Sequence, residues 1–375
     1  MARVVEMTGH PAAYAGRLLA EAGHDVIRVE SPTGDELRRL GPYLGGTVDP
    51  EHGAFHQFFN AGKRSLSLDV SSADGRAVWL DLVRSADVAI LSRPLAVSAD
   101  TLRDVNRRLV VVESDGEERP ELLAYARAGL LSLTGQPDET PVLMGGHVIY
   151  AATGLWVAMA VASGMLVQRM RGIGQAITVD LQQAMEVFYD HAADVYATTG
   201  KSSERRGFRG NVMAASGAFP CADGYWMLSV SYAPERWAKL MDWVQDPVLM
   251  NDPSLTEEAG RAQKRDLILD RLAEWSKGFK KAEAVTQAQS LHITASPVST
   301  TKDLVEDPQL VARGFLREMD HPEFGRMLFP VGATASLRGS TLTPAPKLGE
   351  HNAEILAEIG YSPTEQQILH ERRVI

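Results

Sequence analysis

An α/β fold built on a parallel sheet, followed by a smaller part of different composition, is what this sequence predicts, and three observations carry it. The 375 residues are 45% hydrophobic and 23% charged, too long for one small core and too apolar for disorder, so two globular parts are expected. The first half alternates short β-branched runs with helical stretches, the pattern of β-α-β units whose parallel strands carry helices on their faces. From Lys201 the composition changes: KSSERRGFRGN is basic, polar and glycine-bearing, as in a linker or an exposed ligand loop.

Taken in order, Arg3 to Met7 reads as a strand, Pro11 to Gly23 as a helix of small residues, and Asp25 to Glu30, alternating Val, Ile and Val, as the next strand. A second unit follows, with Ser65 to Val70 extended, Asp74 to Ser85 helical, Val88 to Leu91 a buried strand, Ala99 to Asn106 helical and Leu109 to Val112 another strand. Glu113 to Leu122 is a charged loop. Leu123 to Leu133 and Tyr150 to Met170 are apolar helices on either side of the turn Thr134-Gly135-Gln136-Pro137. Tyr150 to Val167 is the nearest approach to a membrane span, but it sits at the minimum length of roughly 18 residues, and a buried core helix is expected. Ala176 to Asp180 is a strand and Leu181 to Thr199 one long helix. Beyond the boundary, Phe219 to Val230 is a hairpin turned by Asp223-Gly224. Helices follow, amphipathic over Gln263 to Trp275 and Lys281 to Ala288, with a short one opened by Asp307-Pro308. The tail from Pro344 to His351 is extended before a helix over Asn352 to Ile359.

Charge and cysteine content exclude several classes. Thirty-eight Lys plus Arg against 48 Asp plus Glu leave a net charge of −10, and a pI near 5.5 disfavours nucleic acid and anionic membrane as partners. A phosphate-rich ligand needs a local basic pocket. A single cysteine, Cys221, excludes an internal disulfide framework and any thiolate cage, which fits a reducing cytoplasm. The opening MARVVEMTGHPAAYAG does not read as a signal peptide. No HExxH or other metal spacing and no GxSxG elbow is present, so no metal is assigned.

The loop from Gly9 to Gly16 lies where a doubly wound fold places a phosphate, between the first strand and its helix. Its small residues serve close packing or ligand contact equally well, and His10 is an acid, a base or simply solvated. Lys63-Arg64 at a strand entry meet an anionic cofactor or form a solvated edge. Glu204-Arg205-Arg206 and Arg209 form a denser patch, read as isolated surface charge.

Longer strings are more specific. RVVEMT with AGRLLAEAGHDVIRVE, NAGKRSLSLDV, GLLSLTGQPDETPV, RGIGQAITVDLQQAM, PCADGYW, DPQLVARGFLREMDHPEFGR and PAPKLGEHNAEIL are collinear, and together they resemble the family III CoA-transferases, the CaiB/BaiF family. The resemblance implies a Rossmann-like large domain of residues 1–190 and 331–375, a smaller α+β domain of residues 218–315, linkers at 191–217 and 316–330, and two interlocked subunits. It also implies a mechanism in which an aspartate attacks a CoA thioester and becomes a mixed anhydride, splitting one hard exchange into two easier ones.

That aspartate opens a D-x-x-x-G string, which here reads Tyr150-Ala151-Ala152-Thr153-Gly154. A phenol with an ordinary pKa of about 10 is a poor nucleophile, and the nearest carboxylates in sequence are Asp138, Glu139 and Asp180. The racemase branch's histidine is also missing, since Arg119-Pro120-Glu121 occupies its string. The family's ENFRPG-like and SxxGFG loops are replaced by Leu91-Ser92-Arg93-Pro94-Leu95 and the carboxylate-rich Glu113 to Glu118, and Ser71-Ser72 stand where a lysine is common. The resemblance therefore implies a non-catalytic subunit, with a homologous aspartate-bearing subunit as partner, acyl-CoA and a carboxylic acid as substrates of the complex, and no cofactor held tightly. Vestigial CoA contacts fall on His10, Pro11, Ala12, Lys63, Arg64, Leu68 and Arg93. Gly210, Asn211, Ser216 and Gly217 resemble the flexible loop that covers the family's nucleophile, or are an ordinary linker. The alternatives are a self-sufficient acyl-CoA enzyme using Tyr150 and a regulatory acyl-CoA-binding homodimer.

Overall fold

The computed structural model describes residues 1–94, 96–114, 121–189, 191–207, 213–230, 233–332 and 342–375. The chain divides into two compact units. One comprises Met1–Leu130, Met144–Ala193 and Pro308–Ile375, the other Leu131–Leu143 and Asp194–Asp307.

In the first unit, β1 (Arg3–Met7), β2 (Asp25–Glu30), β3 (Arg64–Ser67), β4 (Val88–Ser92), β5 (Val110–Ser114) and β6 (Ala176–Val179) form one parallel sheet in the order β3-β2-β1-β4-β5-β6. The order reverses at β1, where Val4 pairs with Val26 on one side and Val88 on the other. Strand alternation splits the core into two layers. Val4, Val26, Val88, Ile90, Val110 and Val112 pack under α1 (His10–Glu21) and a long helix over Val148–Arg171, while Val5, Ile27, Leu66, Ala89 and Val111 pack on the other face. That second face is covered by the helices Ala73–Arg84 and Ala99–Val105 and by the C-terminal pair Asn352–Glu358 and Pro363–Glu371. Covering both faces is why these strands read as continuous apolar runs.

The long helix is the one described helix long and apolar enough to span a membrane. It packs on the sheet through Ile149, Thr153, Gly154, Val157, Val161, Gly164 and Gln168, and exposes a second apolar face. The expected single helix over Leu181 to Thr199 is interrupted, with Leu181–Glu186 and Ala192–Thr199 separated by a tight turn at Val187–Tyr189. The reason is tertiary. The Tyr189 ring lies so close over Gly129 that a Cβ there would stand 2.5 Å from it. The segment 316–330, expected as a linker, is an antiparallel hairpin of Leu316–His321 and Gly325–Pro330, closed by Gly325 at positive φ.

The second unit carries the expected hairpin, Ser216–Cys221 with Gly224–Ser229, to which Thr294–Pro297 adds a third antiparallel strand. Helices pack on it around Trp226, Leu228, Trp237, Leu240, Ile268 and Leu272. The Trp243 and Trp275 rings meet edge to face at 4.7 Å.

Candidate active site

The carboxyl ends of β1 to β4 enclose a cavity of about 690 Å³, formed by Met7 to Gly9, Val29 to Ser31, Thr33 to Glu36, Arg39, Leu68 to Ser71, Trp79, Leu91 to Pro94, Ala96 and Val97. This is the crevice that a doubly wound sheet offers a ligand beside its reversal of strand order. The backbone N–H of Gly9 donates to Ser92 Oγ at 2.8 Å, joining the loops after β1 and β4. Four carboxylates, Glu30, Asp35, Glu36 and Asp69, and two guanidiniums, Arg39 and Arg93, line the space. Glu30 is buried and held by Arg38 at 2.7 Å. Burial pushes the Glu30 carboxyl up, and the hydrogen-bonded Arg38 with Arg28 outweighs it, so the group stays below its usual range. Asp35 pairs with Arg28. Asp69 accepts from the Ser71 hydroxyl at 2.6 Å and the Ser71 N–H at 3.0 Å, and these bonds hold its carboxyl below the ordinary range.

Tyr150 lies in the first turn of the helix over Val148–Arg171, half-buried, with its ring stacked on His147 at 5.8 Å. Burial, then the charge of Glu121 and more weakly that of Glu36, push the phenol up, against a hydrogen bond from the Glu121 backbone. It therefore stays protonated at neutral pH. Glu121 also bonds His147 Nδ1 at 3.1 Å. The structure thus brings a carboxylate to Tyr150 that sequence distance had hidden, since Glu121 lies on a separate helix, Glu121–Arg127. Asp180, by contrast, caps its own helix by accepting from the Gln183 N–H. Beside Tyr150 an apolar pocket of about 380 Å³ is formed by Pro42, Ala54, Phe55, Phe58, Phe59, His147, Val148 and Ala151.

The expected CoA contacts divide. Leu68 and Arg93 line the large cavity. Lys63 does not reach it, because its ammonium is buried between Glu6 Oε1 at 2.5 Å, the Ala13 carbonyl at 2.9 Å and Asn60 Oδ1 at 3.0 Å. Arg64 binds Asp25, Glu354 and Glu358 and ties β3 to the helix Asn352–Glu358. Ala12 is fully buried in the core. The side chains of His10 and Pro11 lie outside the described residues, as do Gly210, Asn211, Leu95 and the run 115–120. Ser216 and Gly217, expected in a loop, are the first residues of a strand and pair with Ser229 and Leu228. Sequence reading missed Asp69, Glu36 and Arg39, although Asp69 lies near the carboxyl end of the expected strand Ser65 to Val70 and just past the observed one, where α/β folds bind ligands. Among the described residues no cluster of His, Cys, Asp and Glu is arranged to hold a metal.

Comparison with known proteins places this geometry. The family model for CoA-transferase family III matches residues 2–352. The chain is 30% identical to the succinyl-CoA:(R)-benzylsuccinate CoA-transferase subunit BbsE of Thauera aromatica, over 96% of this chain and 93% of that protein. It is 26% identical to the succinyl-CoA:mesaconate CoA-transferase of Haloarcula hispanica, over 96% and 95%. It is 28% identical to the formyl-CoA:oxalate CoA-transferase of Streptomyces avermitilis, over 100% and 98%. The crystal structure of a CaiB/BaiF family protein from Brucella suis matches with a TM-score of 0.82 and 27% identity, over 96% of this chain and 98% of that one. The family model and the whole-length similarity agree, and the chain belongs to CoA-transferase family III.

Proposed function

We propose that this chain is the non-catalytic subunit of a heteromeric family III CoA-transferase, working in the cytoplasm beside a homologous subunit that supplies the nucleophilic aspartate. The observation that carries the reading is Tyr150, a protonated phenol at the position where the resemblance puts the nucleophile. A tyrosyl ester would lack the reactivity of an anhydride. The lining of the cavity at the ends of β1 to β4 supports it, since the described residues there bring no surplus of positive charge for a polyanionic cofactor. In this reading the chain contributes the segment around Gly210 and Asn211 to its partner's site and binds no CoA tightly itself. The relatives named for succinyl-CoA make a succinyl-CoA-dependent exchange the first reaction to test, and the Thauera protein makes (R)-benzylsuccinate the first acid.

Purified alone, the chain should neither move CoA between acids nor form a hydroxylamine-sensitive acyl-enzyme. Co-expressed with an aspartate-bearing homologue, it should yield a mixed complex that does both. A second reading, an enzyme active by itself, draws on Glu121, the carboxylate brought to Tyr150 and His147. Transfer by the isolated chain, abolished by Glu121→Gln or Tyr150→Phe, would establish that reading and remove ours.

A further inference from the structure

We propose that a second cavity binds a small oxyanion that also carries a hydroxyl, as hydrogen phosphate and short hydroxycarboxylates do. Its partners are the imidazole N–H groups of His321 and His351 and the amide oxygen of Gln57, all in the lining of that cavity.

The cavity measures about 270 Å³ and is bounded by the helix Ala54–Asn60, the tip of the hairpin over 316–330 and the extended segment that ends at His351. A water molecule takes about 30 Å³ of liquid, so a small ligand fits with part of its hydration. Gln57 is 3% exposed. Its Nε2 donates to the Glu51 carbonyl at 2.9 Å, which fixes the orientation of the amide, and its Oε1 is buried without a hydrogen-bond partner. A buried acceptor left unmade costs stability, so a donor on a ligand is favoured there.

The two histidines supply the opposite capacity. His321 Nδ1 accepts from the backbone N–H of Glu323 at 3.2 Å and of Phe324 at 3.3 Å, and His351 Nδ1 accepts from the Ser65 N–H at 3.2 Å. A neutral imidazole that accepts at Nδ1 carries its proton on Nε2, so the backbone fixes both rings as Nε2–H donors. Burial, opposed by the charge of Glu323, holds the His321 ring below its ordinary range and so keeps it neutral. The charged side chains of the lining are already engaged. Glu323 is held by His52 at 2.7 Å and Lys347 at 2.6 Å, Glu51 by Arg38 at 2.6 Å, and the Lys63 ammonium by Glu6 at 2.5 Å, while Glu350 accepts the Lys347 backbone N–H at 2.8 Å. Two N–H donors and one acceptor therefore remain. An ionised oxygen suits the donors, because charge-assisted hydrogen bonds are roughly twice as strong as neutral ones. Gln57 needs a donor as well, which a hydroxyl on the same ligand supplies. Sulfate and simple carboxylates bring the oxygens and lack the hydroxyl.

Calorimetric titration of the purified full-length chain at neutral pH with phosphate against sulfate, and with lactate against propionate, tests the site. Phosphate, lactate or both should bind, and the hydroxylated member should bind about tenfold more tightly than its counterpart, the scale of one hydrogen bond. The pair that shows this difference names the source of the ligand. Gln57→Leu, checked for folding by its thermal transition, should bring the two members of that pair within about threefold. In spectra of the chain labelled with nitrogen-15 at histidine, the anion should shift Nε2 of His321 and His351 and leave His370, on the helix Pro363–Glu371 and outside this lining, unmoved. Those spectra and the ratio in the unmodified chain decide the matter even where Gln57→Leu fails to fold. Binding of neither phosphate nor lactate overturns the proposal. Equal affinity within both pairs overturns the role of Gln57, and unmoved His321 and His351 signals overturn the placement. None of these outcomes bears on the non-catalytic reading, which CoA transfer by the isolated chain alone would overturn.

Discussion

His56 is wired so that its ring has to be neutral. Lys63 Nζ donates to Asn60 Oδ1 at 3.0 Å, Asn60 Nδ2 donates to His56 Nδ1 at 3.0 Å, and His56 Nε2 lies 3.1 Å from the Pro346 carbonyl and 3.2 Å from the Arg38 guanidinium. A second proton on the ring would face the Asn60 amide N–H, and flipping that amide would turn a donor on Lys63. Burial, then the Arg38 guanidinium, push the imidazole down to about 3 from its ordinary 6.5. Between those values the unfolded chain binds a proton that the folded chain refuses. This contribution to stability is therefore complete above about pH 6.5 and is lost as the pH falls toward 3, by about 1.4 kcal/mol per pH unit. Urea unfolding at pH 7, 5 and 4 should show that loss, and His56→Gln should be less stable at pH 7 yet less acid-sensitive. Parallel pH dependences for the two proteins would refute the assignment. At this scale the sequence was partly legible. Tyr150 stands out because its string is local, whereas Glu121 beside it and Glu6 beneath Lys63 are brought in by tertiary packing that no spacing reveals.

The long helix over Val148–Arg171 shows the same division between local and tertiary information. Gly164 exists for packing, since a Cβ there would lie 2.4 Å from Val110 Cγ1 on β5. On the opposite side Val148, Leu155, Met159, Leu166 and Met170 are 45% to 75% exposed, spaced by seven and four residues and hence along one stripe of the helix. A continuous apolar stripe of this length is the kind of surface that the partner of the proposed heteromer would cover. Leu155→Glu with Met159→Glu should leave the thermal unfolding of the isolated chain within a few degrees, because both side chains are already exposed, and should abolish co-purification of the partner. Retained co-purification at equal yield would remove this helix from the interface. The sheet itself was readable in advance, because most of its strands are short, β-branched and bounded by polar turns, and their observed bounds fall within about two residues of those expected, except that β3 ends at Ser67 and not at Val70. The break at Val187–Tyr189 and the hairpin over 316–330 were not readable. The first depends on Tyr189 meeting Gly129, and the second on strands whose charged residues, such as Arg317, Glu318, Asp320 and Arg326, mask the alternation.

For the whole molecule, the question is whether the proposed loss of the nucleophile stands alone. If it did, Tyr150→Asp would restore a working transferase. Two features of the surroundings oppose that. The introduced carboxylate would sit beside Glu121, whose charge already raises the Tyr150 phenol, and a neighbouring like charge favours the protonated, non-nucleophilic acid. The cavity at the ends of β1 to β4 is lined, among the described residues, by four carboxylates and two guanidiniums, and a chain of net charge −10 adds no long-range attraction for an anionic thioester. Tyr150→Asp alone should therefore show no CoA transfer above background and no hydroxylamine-sensitive intermediate. Adding Glu121→Gln and Ser71→Lys to it should raise activity in steps, because the first relieves the carboxylate pair and the second supplies a cation to the nucleotide. Turnover by the single variant equal to that of a co-expressed complex would show that one residue separates this chain from a catalyst, and that the charge balance of its cavity has no bearing on function.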